Sequence, residues 1–370
     1  MAGTSVAVVG GGITGAFVAY SLAGLGVPVT LVERSEIGSG ASWRNPGGLN
    51  PLHGPGIPGP LQALALASFR LNVDGWDELR ELSGVDFGGR RAPRLQLAFD
   101  DDDRAALDGQ SALYARADGF SAEWIDRDTL LADEPRLSPG VAGALLTEGN
   151  AKVEAAAYTR AVVAAAVALG ATELRAEVRG LMHAAGRATA VALDSGDLAC
   201  DGVVLATGSW CTGPAGWLEI ELPVSPVKGE LVRARPAGGG VATDLAWRDT
   251  AVYGTGTASV WLGGTEARTG LDDSPTDDGE AAILRGVERV LPGFAPLAVE
   301  ERQAALRPAT PDGLPIAGRA PGWDNVCLAL GGGRKGMLLA AGLGRAVAEL
   351  LVSGTTSMPV AACSPGRFAC

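Results

Sequence analysis

Ser5-Val-Ala-Val-Val-Gly10-Gly-Gly-Ile-Thr-Gly15, followed by Val29-Thr-Leu-Val-Glu33, is the stretch that decides the fold. The apolar run from Val6 to Val9 is continuous rather than alternating, as in a strand buried on both faces of a parallel sheet. Residues 13–24 are small and apolar, contain no proline, and predict a helix; residues 29–33 predict the next strand. A βαβ unit is thus complete within about 30 residues. Gly10, Gly12 and Gly15 form GxGxxG at the turn between strand and helix. Gly10 permits the tight turn, Gly12 lets a pyrophosphate approach the backbone, and Gly15 lets helix and strand pack closely. The helix start, at Ile13 and Thr14, offers N–H groups and positive dipole to phosphates. Glu33 can accept hydrogen bonds from ribose hydroxyls and repels a 2′-phosphate, which disfavours NADP. The motif leaves FAD and NAD open. An FAD enzyme that also bound NAD would need a second such motif, and Gly254-Thr-Gly256 is not one, because it lies between predicted antiparallel strands with no helix after it.

Working outward, residues 38–60 read as a Gly/Pro/Asn-rich loop, 61–82 as a helix, and the acidic run 100–109 as an exposed helix start. A helix over 154–169 ends at Gly170. Strands are predicted near 174–183 and 189–194, over 202–208 closing on Gly208, through the alternating stretch 224–265, and over 326–331, with a helix over 336–352. Parallel elements, an antiparallel insertion and parallel elements again imply an α/β chain with an interleaved second domain.

Composition narrows the function classes. Glycine makes up 54 of 370 residues, roughly twice the usual share of about 7%, without the Gly-X-Y period of collagen. Charged residues are 19% and hydrophobic residues 47%, the reverse of a disordered chain. No apolar run reaches the ~20 uncharged residues that span a bilayer, and no basic n-region with a cleavage site precedes the first strand. A compact cytoplasmic protein without a transmembrane segment is the expectation. Cys200, Cys211, Cys327, Cys363 and Cys370 are odd in number and lack CxxC spacing, which argues against a disulfide framework or a zinc site. With only His53 and His183, a histidine triad or multi-histidine metal site is excluded, and no metal is expected. The net charge of −12 repels phosphate backbones, so nucleic acid is not an expected partner. A homo-oligomer stays open.

Further segments carry a family resemblance. Glu33-Arg34 precedes Gly38-Ser-Gly-Ala41-Ser42. Then follow Ala206-Thr207-Gly208-Ser-Trp210, Pro226-Val-Lys228-Gly-Glu230, Arg307-Pro-Ala-Thr-Pro-Asp312-Gly-Leu-Pro315, Gly331-Gly332-Gly333-Arg334-Lys335-Gly336-Met337 and Ser364-Pro-Gly-Arg-Phe368. This ordered set, spanning essentially the whole chain, resembles the D-amino-acid oxidase superfamily of FAD enzymes, and within it most resembles glycine oxidase.

The resemblance implies an FAD-binding Rossmann-type domain from residues 1–84, 148–222 and 303–370, interleaved with an antiparallel-sheet α+β substrate domain from 85–147 and 223–302. It implies FAD contacts at the residues of the first motif, at Arg34, Ala41, Ser42, Gly47, Gly48, Leu49, Val178, Ala206, Thr207, Gly208 and Trp210, and from Gly332 to Met337. Arg307 matches the residue that holds the substrate carboxylate in glycine oxidase, Arg334 matches a second active-site arginine, and Tyr253 falls where a substrate-contacting tyrosine stands. Ala305 occupies the position of the flavin-linking cysteine of sarcosine oxidase, so the FAD is expected to be non-covalent. Trp261 stands where sarcosine oxidase has an oxygen-promoting lysine, and Gly331-Gly332 replaces a Gly-His common among relatives.

The implied activity is oxidation of glycine or an N-substituted glycine by hydride transfer to flavin N5, with hydrolysis of the imine and oxygen as acceptor. The alternatives are a D-amino acid dehydrogenase serving a quinone-type acceptor and a 2-hydroxy acid oxidase. Such chemistry needs orientation more than side-chain acid or base, which suits a chain poor in histidine. A guanidinium anchors a carboxylate through its planar fork. The remaining candidates have plainer readings: Lys228 as a turn residue, Trp247 and Trp261 as core, His53 as a loop histidine, Asp312 as the holder of a turn.

Overall fold

The computed structural model describes residues 5–368, so Cys370 lies outside the described residues. The chain forms two compact units. Unit 1 combines Met1–Gly89, Val153–Pro226 and Arg307–Cys370; unit 2 combines Arg90–Lys152 and Val227–Leu306.

Unit 1 is built on a six-stranded sheet with β1 (Val6–Val9) inside it. β1 pairs in parallel with β2 (Val29–Glu33) on one side and with Gly202–Leu205 on the other. Thr172–Arg175 extends the sheet beyond β2, and Val326–Leu330 extends it at the other end in parallel. The outermost strand, Ile316–Arg319, is antiparallel. Every residue of β1 is buried, which explains its unbroken apolar run. Helix α1 (Ile13–Gly24) crosses the C-terminal helix Gly336–Ser353 where Gly344 meets Phe17; a Cβ on Gly344 would fall 2.6 Å from the Phe17 backbone.

The segment Gly333–Ser353 is long and apolar enough to cross a membrane, although Arg334, Lys335, Arg345 and Glu349 interrupt it. In unit 1 its apolar side chains serve as core: Leu338, Leu339, Leu343 and Val347 are all buried. Each contributes roughly 1.5–3 kcal/mol by that burial. A buried polar network fastens the same helix to Gln62–Asp74. Ser68 Oγ donates to Leu338 O at 2.7 Å and accepts from Gly342 N at 2.8 Å, and Asn72 Nδ2 donates to the same carbonyl at 3.0 Å.

In the last turns of the C-terminal helix, Glu349 accepts from Arg345 Nε (2.8 Å), Thr356 Oγ1 (2.7 Å) and Ser357 N (2.8 Å). Burial opposes its charge, but these bonds prevail and hold the carboxyl at about 2, below its usual 4.5. A lowered folded pKa means the stabilisation is complete above the unfolded value and disappears as pH falls towards about 2. Glu349→Gln is therefore expected to cost about 1–2 kcal/mol at pH 7 and less at pH 3. Melting temperatures of both proteins at the two pH values test this; an equal gap at both would count against it.

The expected helix over 61–82 is two helices, Gln62–Asp74 and Trp76–Ser83, hinged at Gly75. The strand predicted near 174–183 is also two pieces. Thr172–Arg175 joins the parallel sheet, whereas Val178–Ala184 opens a separate three-stranded antiparallel sheet with Arg187–Leu193 and Gly196–Ala199. Both pieces are extended, so periodicity does not show the change of sheet.

Unit 2 is organised by an eight-stranded sheet, in the order Leu297–Ala309, Ser225–Pro236, Val260–Gly263, Thr250–Gly254, Asp244–Trp247, Arg94–Ala98, Gly143–Glu148 and Ser121–Asp126. Val232, Leu262, Val252 and Leu245 fall in register on one face and pack with Ile283, Val287 and Val290 of helix Asp277–Val290. The opposite face carries a different row: Arg233 beside Trp261 beside Tyr253, and Asp244 beside Arg94 beside Thr147.

Lys228 is not the turn residue expected from its Pro226 and Gly229 flanks. It lies in strand Ser225–Pro236, buried, with Nζ donating to Asp272 Oδ2 and Ser274 O, both at 3.0 Å. Its partners are more than 40 positions away, beyond the reach of any local pattern.

Candidate cofactor and substrate site

The turn after β1 is closed too tightly for side chains. Gly10 adopts φ +110, and a Cβ there would lie 2.4 Å from the Ala206 carbonyl oxygen. A Cβ on Gly15 would lie 1.9 Å from the Gly10 oxygen, which seats α1 directly on the turn. Gly12 caps α1 with extended backbone, no side-chain cap and no acidic residue in the first turn. The positive helix end is therefore not neutralised by its own sequence. Ile13 N donates to Ser42 Oγ at 2.9 Å, and a Cβ on Gly12 would meet the same hydroxyl at 3.2 Å. Thr14 is half-buried in this first turn.

Glu33 ends β2 with Oε2 accepting from Gly11 N at 2.7 Å and Oε1 from Ser35 N at 2.9 Å. Each carboxylate oxygen keeps a further lone pair for a hydroxyl. A helix end that attracts anions, backbone open to close approach and a carboxylate at the end of the second strand suit the pyrophosphate and ribose of a dinucleotide.

The neighbouring candidates gather around this turn in unit 1. Arg34 stacks on the Trp210 ring at 4.7 Å, and a Cβ on Gly40 would be 3.6 Å from that ring. Ala206, Thr207 and Gly208 follow strand Gly202–Leu205; Gly208 takes φ +58, and Cys211 Sγ donates to its carbonyl at 3.2 Å. Asn45, which the sequence reading passed over, shapes the loop carrying Ala41, Ser42 and Gly47. Its Nδ2 donates to Ala41 O (3.1 Å) and Ser42 O (2.9 Å), and its Oδ1 accepts from Gly47 N (2.9 Å). The signal was the Asn45-Pro-Gly-Gly48 turn sequence. Gly48 and Leu49 form a two-residue strand, Leu49 fully buried.

Val178 opens the three-stranded sheet, opposite Leu193, and packs on the core that includes Val9 and Leu205. Gly332 precedes a short 3-10 turn, Gly333–Lys335, that feeds the C-terminal helix at Gly336. Lys335 Nζ donates to Asn50 O at 2.8 Å and so ties this turn to the loop after Leu49. Arg334 is exposed, and Met337 is buried in the core. Arg307 is half-buried near the end of strand Leu297–Ala309. Asp312 holds a turn as expected, accepting from Leu314 N at 3.1 Å and from Arg367 Nε at 2.8 Å.

Tyr253 belongs to unit 2, half-buried in strand Thr250–Gly254, with the Lys152 ammonium 5.5 Å from its ring centroid. Trp247 is core, with Nε1 donating to Asp103 Oδ2 at 2.7 Å. Trp261 departs from the core reading: it is half-buried beside Tyr253 on the face away from the apolar cluster.

A parallel sheet carrying the glycine turn, the bare helix end and the acidic second strand defines a dinucleotide-binding protein of the Rossmann-type class. The family described as DAO, FAD dependent oxidoreductase, matches residues 5–350, and the chain belongs to it. Its cofactor is FAD, and it is an oxidoreductase acting on C–N bonds. The glycine oxidase of Pseudomonas aeruginosa is 30% identical over 348 residues, covering 94% of each chain. That of Bacillus licheniformis is 30% identical over 93% of this chain and 92% of its own. The crystal structure of glycine oxidase from Geobacillus kaustophilus superposes with a TM-score of 0.90 at 27% identity, covering 98% of both chains.

Proposed function

We propose that the protein oxidises glycine or an N-substituted glycine and passes the electrons to dioxygen. The amine loses two electrons and two protons to become an imine, and water adds to the imine to release glyoxylate and ammonia or the free amine. Dioxygen takes up the two electrons and two protons as hydrogen peroxide. The observation that carries this reading is the intact dinucleotide cradle in a chain that matches glycine oxidases at 30% identity over nearly its full length.

Bound FAD supplies the two-electron acceptor. In this reading it is held without a covalent link, which the alanine at position 305 supports. Gly10, Gly12 and Gly15, with the start of α1, take the pyrophosphate, and Glu33 takes the ribose hydroxyls. Arg307 grips the substrate carboxylate through its fork, Arg334 assists, and Tyr253 contacts the substrate. Fixing the carboxylate aligns the α-C–H bond for reaction, and orientation of this kind lowers a barrier without acid or base residues. A reducing, cytoplasmic setting belongs to the reading. Cys200, Cys211, Cys327 and Cys363 are free, and burial pushes each thiol up to about 11.

Anaerobic titration of the yellow holoprotein with glycine, N-alkyl glycines, D-amino acids and 2-hydroxy acids tests the proposal. Bleaching of the flavin by glycine or its N-alkyl derivatives, then rapid reoxidation with hydrogen peroxide in air, is expected. Bleaching by D-amino acids with slow reoxidation would replace this reading with a dehydrogenase. Bleaching by hydroxy acids alone would replace it with a hydroxy acid oxidase.

A further inference from the structure

The face of the unit 2 sheet that carries Tyr253 also carries a cation without a counter-charge. Lys152 spends its ammonium on Asp244 Oδ1 (2.9 Å), Asp244 Oδ2 (3.1 Å) and Gly254 O (2.8 Å), so Lys152 and Asp244 neutralise each other. Arg94 stands in register with Asp244 on one side and with Thr147 on the other. Its Nε is enclosed and finds no hydrogen-bond partner, and no carboxylate pairs with it among the described residues. Its charge is felt at both Lys152 and Tyr114.

Enclosing part of a guanidinium without an acceptor costs free energy, and such costs persist where a ligand supplies the missing partner. The planar fork makes a carboxylate the matching partner. Tyr253 lies two strands from Arg94, a backbone separation of about 10 Å at the usual interstrand spacing, which the long arginine side chain can narrow to the reach of a short substituent.

The geometry points to Arg94 as the receiver of a second carboxylate on the substrate, which makes the substrate class a dicarboxylic amine rather than glycine itself. This rests on the reading of the protein as an amine oxidase with Tyr253 at the substrate. The second carboxylate can be carried on nitrogen, as in an N-carboxyalkyl glycine, or on the α-carbon, as in an acidic D-amino acid.

The test measures kcat/KM of the holoenzyme for N-(carboxymethyl)glycine, N-(2-carboxyethyl)glycine, D-aspartate and D-glutamate against N-ethylglycine, N-propylglycine and D-norvaline. One dicarboxylate series is expected to exceed its neutral counterparts by roughly 10- to 100-fold, mainly through KM. Whichever series does so identifies where the carboxylate is carried. Arg94→Gln is expected to bring that ratio close to 1, and Arg94→Lys to restore part of it. Wild-type enzyme that uses neutral amines as well as dicarboxylates overturns the inference while leaving amine oxidation standing. So does an Arg94→Gln protein in which both classes fall together and the ratio holds. If no amine reduces the flavin, the inference falls together with the reading beneath it. The wild-type comparison decides the matter even where Arg94→Gln fails to fold.

Discussion

Replacing Lys152 by methionine is expected to destabilise the protein by about 3–5 kcal/mol, the usual consequence of removing one member of a buried ion pair. Lys152 is only 7% exposed, and its Nζ has three acceptor contacts within 3.1 Å. Burial pulls its pKa down, and Asp244 pulls it back towards the charged form. With the ammonium gone, the Asp244 carboxylate keeps Gly254 N as a donor at 2.9 Å but loses its counter-charge. Lys152→Met combined with Asp244→Leu is expected to recover much of the loss, because two apolar groups leave no stranded charge. Thermal melting of the two holoproteins checks this. A double variant no more stable than the single one, or a single variant within about 1 kcal/mol of wild type, would sink the account.

Arg307→Leu is expected to lower kcat/KM by about 10²- to 10⁴-fold while leaving the protein yellow. The range follows from two charge-assisted bonds of about 1.5–3 kcal/mol each. Arg307→Lys keeps the charge but not the fork, and should fall between the two. The readout is steady-state kinetics on the best amine, with the flavin absorbance as a control for cofactor retention. A loss under about fivefold would remove Arg307 from the proposed anchoring role, since even one charged bond contributes more.

Different parts of this molecule were legible in the sequence to different degrees, for physical reasons. β1, α1 and β2 stand where the first 33 residues place them, because a buried parallel strand and a glycine turn are both local signals. Helix Asp277–Val290 was passed over although its signals were present. Thr276 caps it, and Gly279, Ile283, Val287 and Val290 bury one face. The strand Leu297–Ala309 gave less warning, since residues 298–302 are exposed and charged or polar for much of their length. The glycine turn and Glu33 could be assigned from spacing alone. Asn45 acts through three short-range bonds that spacing only hints at. Arg94 and Lys152 carry no sequence signal, because an isolated cation in a strand reads as surface. Register across the eight-stranded sheet brings Arg94 to the face of Tyr253, whereas Lys152 comes from a separate three-stranded sheet and reaches Asp244 and Gly254 through its ammonium.

The three-segment build of unit 1 has a consequence for the newborn chain. β1 precedes the others, but one of its two sheet neighbours begins at Gly202, and of the two helices that α1 packs against, one begins at Ala155 and the other at Gly336. At about 5–20 residues per second, the first strand and helix wait on the order of tens of seconds for their partners. For that interval Val8, Phe17 and Leu22 are greasy side chains with nowhere to go, the situation in which holdase chaperones earn their place. The long average loop closure predicts slow, late folding, with competence to bind flavin appearing only after helix Gly336–Ser353 has been made.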